Sequence, residues 1–470
     1  MNDLSTIQST LPAKLKSRSM GVKLIVVCGL ALLMMIPAIF VSSLITDRQS
    51  RSEDVIRDIS GNVGGRQTFL GPTLAVPYDI PAQSQVDHPR HGTYLVFPAK
   101  ASAQIRTSTE ERHRSLFKVP VFQANLNLDA TFDLAGVPAS APQGAVLDWG
   151  RSEIIVGVSD ARGALADATL TVDGKTLVLV PAESSEHMSI GGDPSSQLNL
   201  TLFGARIEGT AKPDAKFSVS SGLRFSGAQR IAVLAYGKTT HVTMQGDWPN
   251  PGFDGGYLPV SRSLSPGGFS AEWSVPFIAR GVRAEGEGDS ITGLAATALG
   301  VSFVEVADPY QSVNRSLKYL PLFLGLIFLS YFIFEVTAGK RVHPAQYILV
   351  GVAQLIFYLL LLSFTERIGF DFGFLVAGGA TVLLLSANTS WIFASRMQGA
   401  RALAIFSLLY GLIYMLLRLK DNALLVGAIA SFIAVAAAMY FTRSIDWYSS
   451  IPVAGAPPVD ISTQPPRNAV

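Results

Sequence analysis

Six long apolar runs, one near the start of the chain and five crowded into its last third, decide what this sequence can fold into. They span residues 24–45, 319–336, 346–364, 372–393, 402–417 and 423–441. The first has 22 residues and no charge. At roughly 1.5 Å per residue it makes about 33 Å of helix, against a hydrocarbon core of about 30 Å. Charged residues are only 15% of the chain and hydrophobic ones 49%, whereas a soluble domain carries about 25% charge. The deficit points to extensive lipid contact. A cleaved signal peptide is the competing reading of the first run, but its apolar stretch exceeds the usual length of about 7–15 residues. The chain continues Thr46-Asp47-Arg48 with no small-residue cleavage pattern, which predicts an uncleaved anchor, kinked at Pro37. The run 402–417 is the shortest and needs helical extensions at its ends.

Basic residues set orientation. Lys14, Lys16, Arg18 and Lys23 precede the first run; Lys340 and Arg341 follow the second; Arg396 and Arg401 separate the fourth and fifth; Arg443 follows the sixth. Alternate threading puts all of them in the cytoplasm. The opposite loops, 365–371 and 418–422, carry mixed charge. Both termini are then inside. Five parts follow: a cytoplasmic segment 1–23, a first span 24–45, an exterior domain 46–317, a five-helix bundle 318–443, and a cytoplasmic tail 444–470. The tail is rich in Pro, Ser and Thr from Ser449 on, and this composition predicts disorder.

The exterior region reads as β structure. Phe122, Ala124, Leu126, Leu128, Ala130, Phe132 and Leu134 alternate with polar residues, a period of two that marks a strand with one buried face. Its length predicts a bend or bulge. Asp173-Gly174 between two β-rich runs predicts a tight hairpin. Further strands are expected at 153–158, 197–203, 228–234 and 240–245, and a polar helix at 47–59 continuing the first span. The frequent strands predict antiparallel, sandwich-like sheets. The only cysteine, Cys28, lies in the first run, so the domain has no disulfide.

Catalytic patterns are missing. There is no Gly-x-Ser-x-Gly, Walker loop or His-Glu-x-x-His. His88 and His91 flank Pro89 with no third ligand in view, so no metal is expected. Ser159 has no recognisable base, and Asp160 suits a turn that orders Arg162. The reading is therefore non-enzymatic, with no cofactor. A net charge of +2 gives no case for nucleic acid. Inside the runs ionisable groups are sparse; Glu335 is expected to snorkel beside Lys340 and Arg341, and Gln354 and Asn388 to hydrogen-bond between helices. Glu111, Arg112 and Arg114, within a mixed-charge segment ahead of a strand, and the aromatic Trp248, Phe253 and Trp273 form a candidate contact surface. Asp308, Tyr310, Arg315 and Lys318 form a candidate joint between domain and bundle.

Residues 17–448 resemble the CreD family of inner-membrane "cell envelope integrity" proteins. The resemblance rests on Gln67-Thr68-Phe69-Leu70-Gly71-Pro72, Gly157–Gly163, Trp248–Pro259, Leu299–Phe303, His343-Pro344-Ala345-Gln346-Tyr347 and Thr442–Tyr448. Departures are Val63 where the family has Trp, Val282-Arg283 in place of Pro-Gln, Arg367 in place of His, and Lys420-Asp421 in place of an acidic pair. The resemblance implies a Gram-negative inner membrane, a periplasmic β-rich domain, an envelope stress response with colicin tolerance, and no established catalysis. Membrane lipids and an envelope component or another inner-membrane protein are the expected partners. The alternative is a transporter or flippase of a lipid or other amphiphile; a third reading, a hydrolase using Ser159, Asp160 or His113, has least support.

Overall fold

The computed structural model describes residues 20–81, 90–114, 117–183, 187–190, 198–287, 291, 293–303, 309–419 and 423–443. The chain divides into two compact units, Ser50–Val306 and the remainder.

The longer helices are α1 (Met20–Leu33), α2 (Met35–Asn62), α3 (Pro309–Lys318), α4 (Leu320–Ala338), α5 (Pro344–Ile368), α6 (Phe370–Phe393), α7 (Arg396–Arg418) and α8 (Ala423–Thr442). Among the described residues five helical segments are long and apolar enough to cross a membrane: α1 with α2, then α4, α5, α6 and α7. In α8 the apolar stretch, Leu425–Ala437, is shorter. The kink expected from Pro37 appears as a break at Met34. Proline lacks the N–H that would bond the Leu33 carbonyl four residues back, so the helix opens just ahead of it. The polar extension of the first span is also present, since α2 runs on to Asn62. The shortest run gains its length by extension: α7 has 23 residues, starting where Ser395 accepts from Gln398 N at 3.4 Å. The loop expected at 365–371 shrinks to Gly369, because Glu366 and Arg367 finish α5 and Asp371 begins α6. His343 accepts from Ala345 N at 3.2 Å, and Pro344 opens α5, as the basic turn predicted. Leu375, Leu383 and Leu408 are exposed on the outer faces of α6 and α7, which suits lipid contact.

The second unit is two packed sheets. One has the strand order 187–190, 198–206, 153–158, 67–80, 230–234, 298–303 and 251–255 along its main path. The other runs 261–265, 268–275, 239–246, 100–114, 117–133, 216–228, 169–172 and 175–178. A continuous hydrophobic core joins them, and rings meet across it: Phe69 and Phe225 at 5.3 Å, Phe122 and Phe303 at 5.2 Å. The Asp173-Gly174 hairpin forms as expected, both residues at positive φ, 48° and 84°. Two expectations need correction. The sheets are not wholly antiparallel: Gln67–Phe69 pairs in parallel with Ile231–Val233, and Lys100–Thr107 with Thr239–Gly246. Each parallel pair is possible because a long crossover separates its strands. Phe117–Asp133 has no bulge in its pairing with Lys216–Ala228, which runs unbroken from Val121 to Asp133. The register shift falls instead at Leu70/Thr73. Between them a Cβ on Gly71 would lie 2.5 Å from the Tyr236 ring, so only glycine fits.

Candidate functional site

The candidate contact residues do not form one surface. Beyond Thr107 and Val121 the ladder of the strands Lys100–Arg114 and Phe117–Asp133 continues, among the described residues, as a two-stranded arm, with Thr109 N donating to Asp247 and Pro120 O accepting from Gln229 N at its base. Glu111 and Arg112 are exposed within this strand rather than ahead of one, and the Arg114 side chain lies outside the described residues. Charges on the arm face each other: Arg112 and Glu110 at 3.6 Å, His113 and Glu111 at 4.0 Å, Lys118 and Glu111 at 3.5 Å. Mutual pairing leaves little net attraction for a partner. The arm's apolar side, Val119 and Val121, packs with Ala228 against Ile56, Ile59 and Val63. Trp273 is 1% exposed and donates from Nε1 to Tyr257 O at 3.1 Å; Trp248 is buried against Phe303. Both are core residues. Phe253 is half-buried between Trp273 and the guanidinium of Arg262.

Ser159 serves the backbone. Its Oγ accepts from Thr68 N at 2.9 Å and donates to Arg66 O at 3.0 Å. Asp160 accepts from Arg162 N at 3.0 Å and pairs with that guanidinium at 2.6 Å; the arginine hydrogen bond holds this carboxyl below the usual carboxylate range. His113 is on the arm, paired with Glu111. Ser159→Ala is expected to cost about 0.5–1.5 kcal/mol of stability, measured by denaturant unfolding of the folded chain. His88 lies outside the described residues, and His91 pairs with Asp79. Among the described residues no three His, Cys, Asp or Glu side chains gather as a metal site.

Sequence reasoning missed Arg280. It ends the single helical turn Phe277–Arg280 and is 2% exposed. Its Nε donates to Ala235 O at 2.8 Å and Nη1 to Arg283 O at 3.1 Å, and the guanidinium stacks on Phe97 at 4.2 Å. Nη2 has no partner. Burial pushes its pKa down to about 10. The only available signal was an arginine beside the apolar Phe277-Ile278, which also suits a surface turn.

In the helical unit, Tyr310 donates to Glu366 at 2.7 Å and Arg315 to Leu419 O at 2.8 Å. These two residues therefore fasten α3 to the ends of α5 and α7. Lys318 is exposed, and Asp308 lies outside the described residues. Glu335 does not snorkel. It is 2% exposed, pairs with Lys23, and accepts from Val342 N at 2.9 Å and Tyr347 Oη at 3.1 Å. Lys340, its expected companion, instead donates to Phe393 O at 2.5 Å. Gln354 and Asn388 bond between helices as expected: Tyr410 donates to Gln354 at 2.8 Å, and Asn388 to Tyr331 Oη at 3.4 Å.

Comparison with known proteins settles the family. The model described as "Inner membrane protein CreD" matches residues 19–448. The chain belongs to the CreD family. It is also similar to "Inner membrane protein CreD" of Escherichia coli (strain K12), 28% identical over 428 residues, covering 90% of this chain and 92% of that protein. Apolar helices and family membership together make it a multi-pass membrane protein.

Three of the four departures from the CreD pattern fall on described residues. Val63 contributes a small apolar contact under the arm. Val282 is buried, while the Arg283 carbonyl accepts from Arg280. Arg367 lies in the last turn of α5. Lys420 and Asp421 lie outside the described residues.

Proposed function

We propose that this CreD-family chain is a non-enzymatic, six-span protein of a Gram-negative inner membrane, with both termini cytoplasmic. It supports envelope integrity and tolerance of envelope stress, colicins included, by presenting its β sandwich to an envelope component. One observation supports this reading above the rest. The sandwich receives and releases the chain at one end, and its other end exposes Leu258, Val260, Phe277 and Ile278. Exposed apolar side chains of this kind favour an interaction site.

The test is leakage of a periplasmic reporter from a strain lacking the gene. Two versions of the gene are returned, encoding the full chain and a chain stopped after Val306, the latter checked for folding and membrane attachment. Tight envelopes from both are the expected result. If only the full chain restores the barrier, the helices do more than anchor.

A second reading, movement of a lipid or other amphiphile by the helices, draws on the buried Gln354–Tyr410 contact. There Gly378 lets Tyr410 approach: a Cβ would lie 3.2 Å from its ring. Reconstituted vesicles should then move a fluorescent phospholipid between leaflets, and Gln354→Leu should slow it about tenfold, equivalent to about 1.4 kcal/mol. No movement by the wild-type chain removes this reading.

A further inference from the structure

The strand Arg230–Leu234 gives the sandwich two distinct ends. At its start, Gln229 O accepts from Phe303 N at 2.8 Å, and Gly65 O accepts from Ala228 N at 2.7 Å. Both chain connections of the sandwich therefore meet there. At its finish, Ala235 O accepts from the buried Arg280. The two ends, marked by Gln229 and Ala235, are about 20 Å apart at about 3.3 Å per residue.

Three observations coincide at the finish. Arg280 is a buried cation, and among the described residues it has no carboxylate partner and its Nη2 makes no hydrogen bond. An unmade bond on a buried guanidinium is costly, and a ligand acceptor would recover that cost. Around it are apolar side chains open to solvent: Ile278 at 93%, Val260 at 76%, Leu258 at 74%. Tyr257 Oη donates to Ala279 O at 2.5 Å, so the segment bearing Leu258 and Val260 is tied to the turn bearing Phe277 and Ile278. A further cation, Arg283, is exposed three residues on, and its carbonyl accepts from Arg280 Nη1. The nearby carboxylates Glu272 and Glu285 accept from Ser261 and Ser140 and keep their charge, so the anion must be held at Arg280 itself.

We propose that this end of the sandwich binds an anionic amphiphile, whose phosphate or carboxylate accepts from Arg280 Nη2 while its hydrocarbon lies on Leu258, Val260, Phe277 and Ile278. The guanidinium is covered, so the single turn must lift to admit the headgroup. Pro276 and Gly281, the latter at φ 67°, bound that turn. The proposal rests on the reading that the sandwich contacts an envelope component, and it names the chemistry of that component. Apolar side chains alone would suit many partners; the unpaired cation beneath them selects one with a negative head.

The test uses the full-length chain in a neutral maltoside detergent with two photoactivatable probes, phosphatidylglycerol and phosphatidylcholine carrying the same diazirine-labelled acyl chain. Labelled peptides are read by mass spectrometry, and those from the membrane helices serve as an internal reference. The expected result is label within residues 257–283, about tenfold stronger for phosphatidylglycerol, as a charge-assisted hydrogen bond predicts. Leu258→Asn with Ile278→Asn should lower it at least about fivefold for both probes. Arg280→Gln should remove the headgroup preference and keep the hydrocarbon label. If Arg280→Gln does not fold, the exposed pair decides, since neither side chain is in the core.

Absence of label in 257–283, indifference to the exposed pair, or equal labelling by the two lipids would each overturn the proposal. So would complete displacement by excess inorganic phosphate, which would make this a site for a small free anion. The reporter-leakage assay is separate. A tight envelope from the chain stopped after Val306, together with no lipid label, would keep the binding function and discard the amphiphile.

Discussion

Glu335→Ala is expected to lose about 3 kcal/mol of stability, near the lower end of the roughly 3–5 kcal/mol measured when one partner of a buried ion pair is removed. The carboxylate serves three donors at once, Lys23 Nζ, Val342 N and Tyr347 Oη. Deleting it leaves Val342 N and Tyr347 Oη without their acceptor and Lys23 with Val342 O alone, at 3.1 Å. The lower end is expected because the Lys23 side chain is 19% exposed, so its ammonium can reach toward water and recover part of the loss. Glu335→Gln should be milder, since the amide oxygen still accepts from Val342 N and Tyr347. The double variant Lys23→Met, Glu335→Leu should recover most of the loss, because no uncompensated charge remains and only the Val342 and Tyr347 donors are left unserved. Midpoints of thermal unfolding in detergent, followed by loss of the monodisperse chromatographic peak, rank the four proteins. Equal midpoints for wild type and Glu335→Ala would mean that the pair is not formed in the folded protein.

That ion pair also shows where sequence reasoning runs out. Hydropathy found the long helices because a membrane span must be apolar along its whole length. It could not find Lys23 as the partner of Glu335, because the two are 312 positions apart. Lys340 and Arg341 were the obvious neighbours in sequence, but a helix end presents residues to whichever element packs beside it. The same asymmetry holds in the sandwich. The alternation from Phe122 to Leu134 was legible because one face meets the core and the other meets water. The strand Gln67–Ile80 was not, since it is buried on both faces over Gln67–Val76 and has no period of two to read. The candidate surface failed for a related reason. Tryptophan beside glycine and proline fits an exposed platform or a packed loop equally well. Only the tertiary contact of Trp273 with Phe253 and Tyr257 distinguishes them. Arg280 escaped notice because nothing local distinguishes a buried arginine from an exposed one.

Tyr236→Ala should produce the largest loss within the sandwich, about 3–5 kcal/mol, the range for deleting a fully buried aromatic ring. Tyr236 follows the strand Arg230–Leu234 of one sheet, and its hydroxyl reaches the other, bonding to Ser102 O at 2.7 Å and Asp129 O at 3.0 Å. It is fully buried, and burial raises its pKa far above the ordinary tyrosine value. The hydroxyl therefore acts as a neutral donor at any working pH. Tyr236→Phe keeps the ring and removes the one proton shared between the two carbonyls, so about 0.5–1.5 kcal/mol is expected. The gap between the two variants separates the packing of the ring from the bond between sheets. Gly71→Val attacks the same contact from the other side, because any Cβ there collides with the ring, and its effect should largely disappear in the Tyr236→Ala background, where the ring's space is empty. Urea unfolding followed by the fluorescence of the core residues Trp248 and Trp273 measures all four. A Tyr236→Phe protein as stable as wild type would show that shape alone joins the sheets, and additive losses for Gly71→Val and Tyr236→Ala would show that the glycine answers to the register shift at Leu70/Thr73 rather than to the ring.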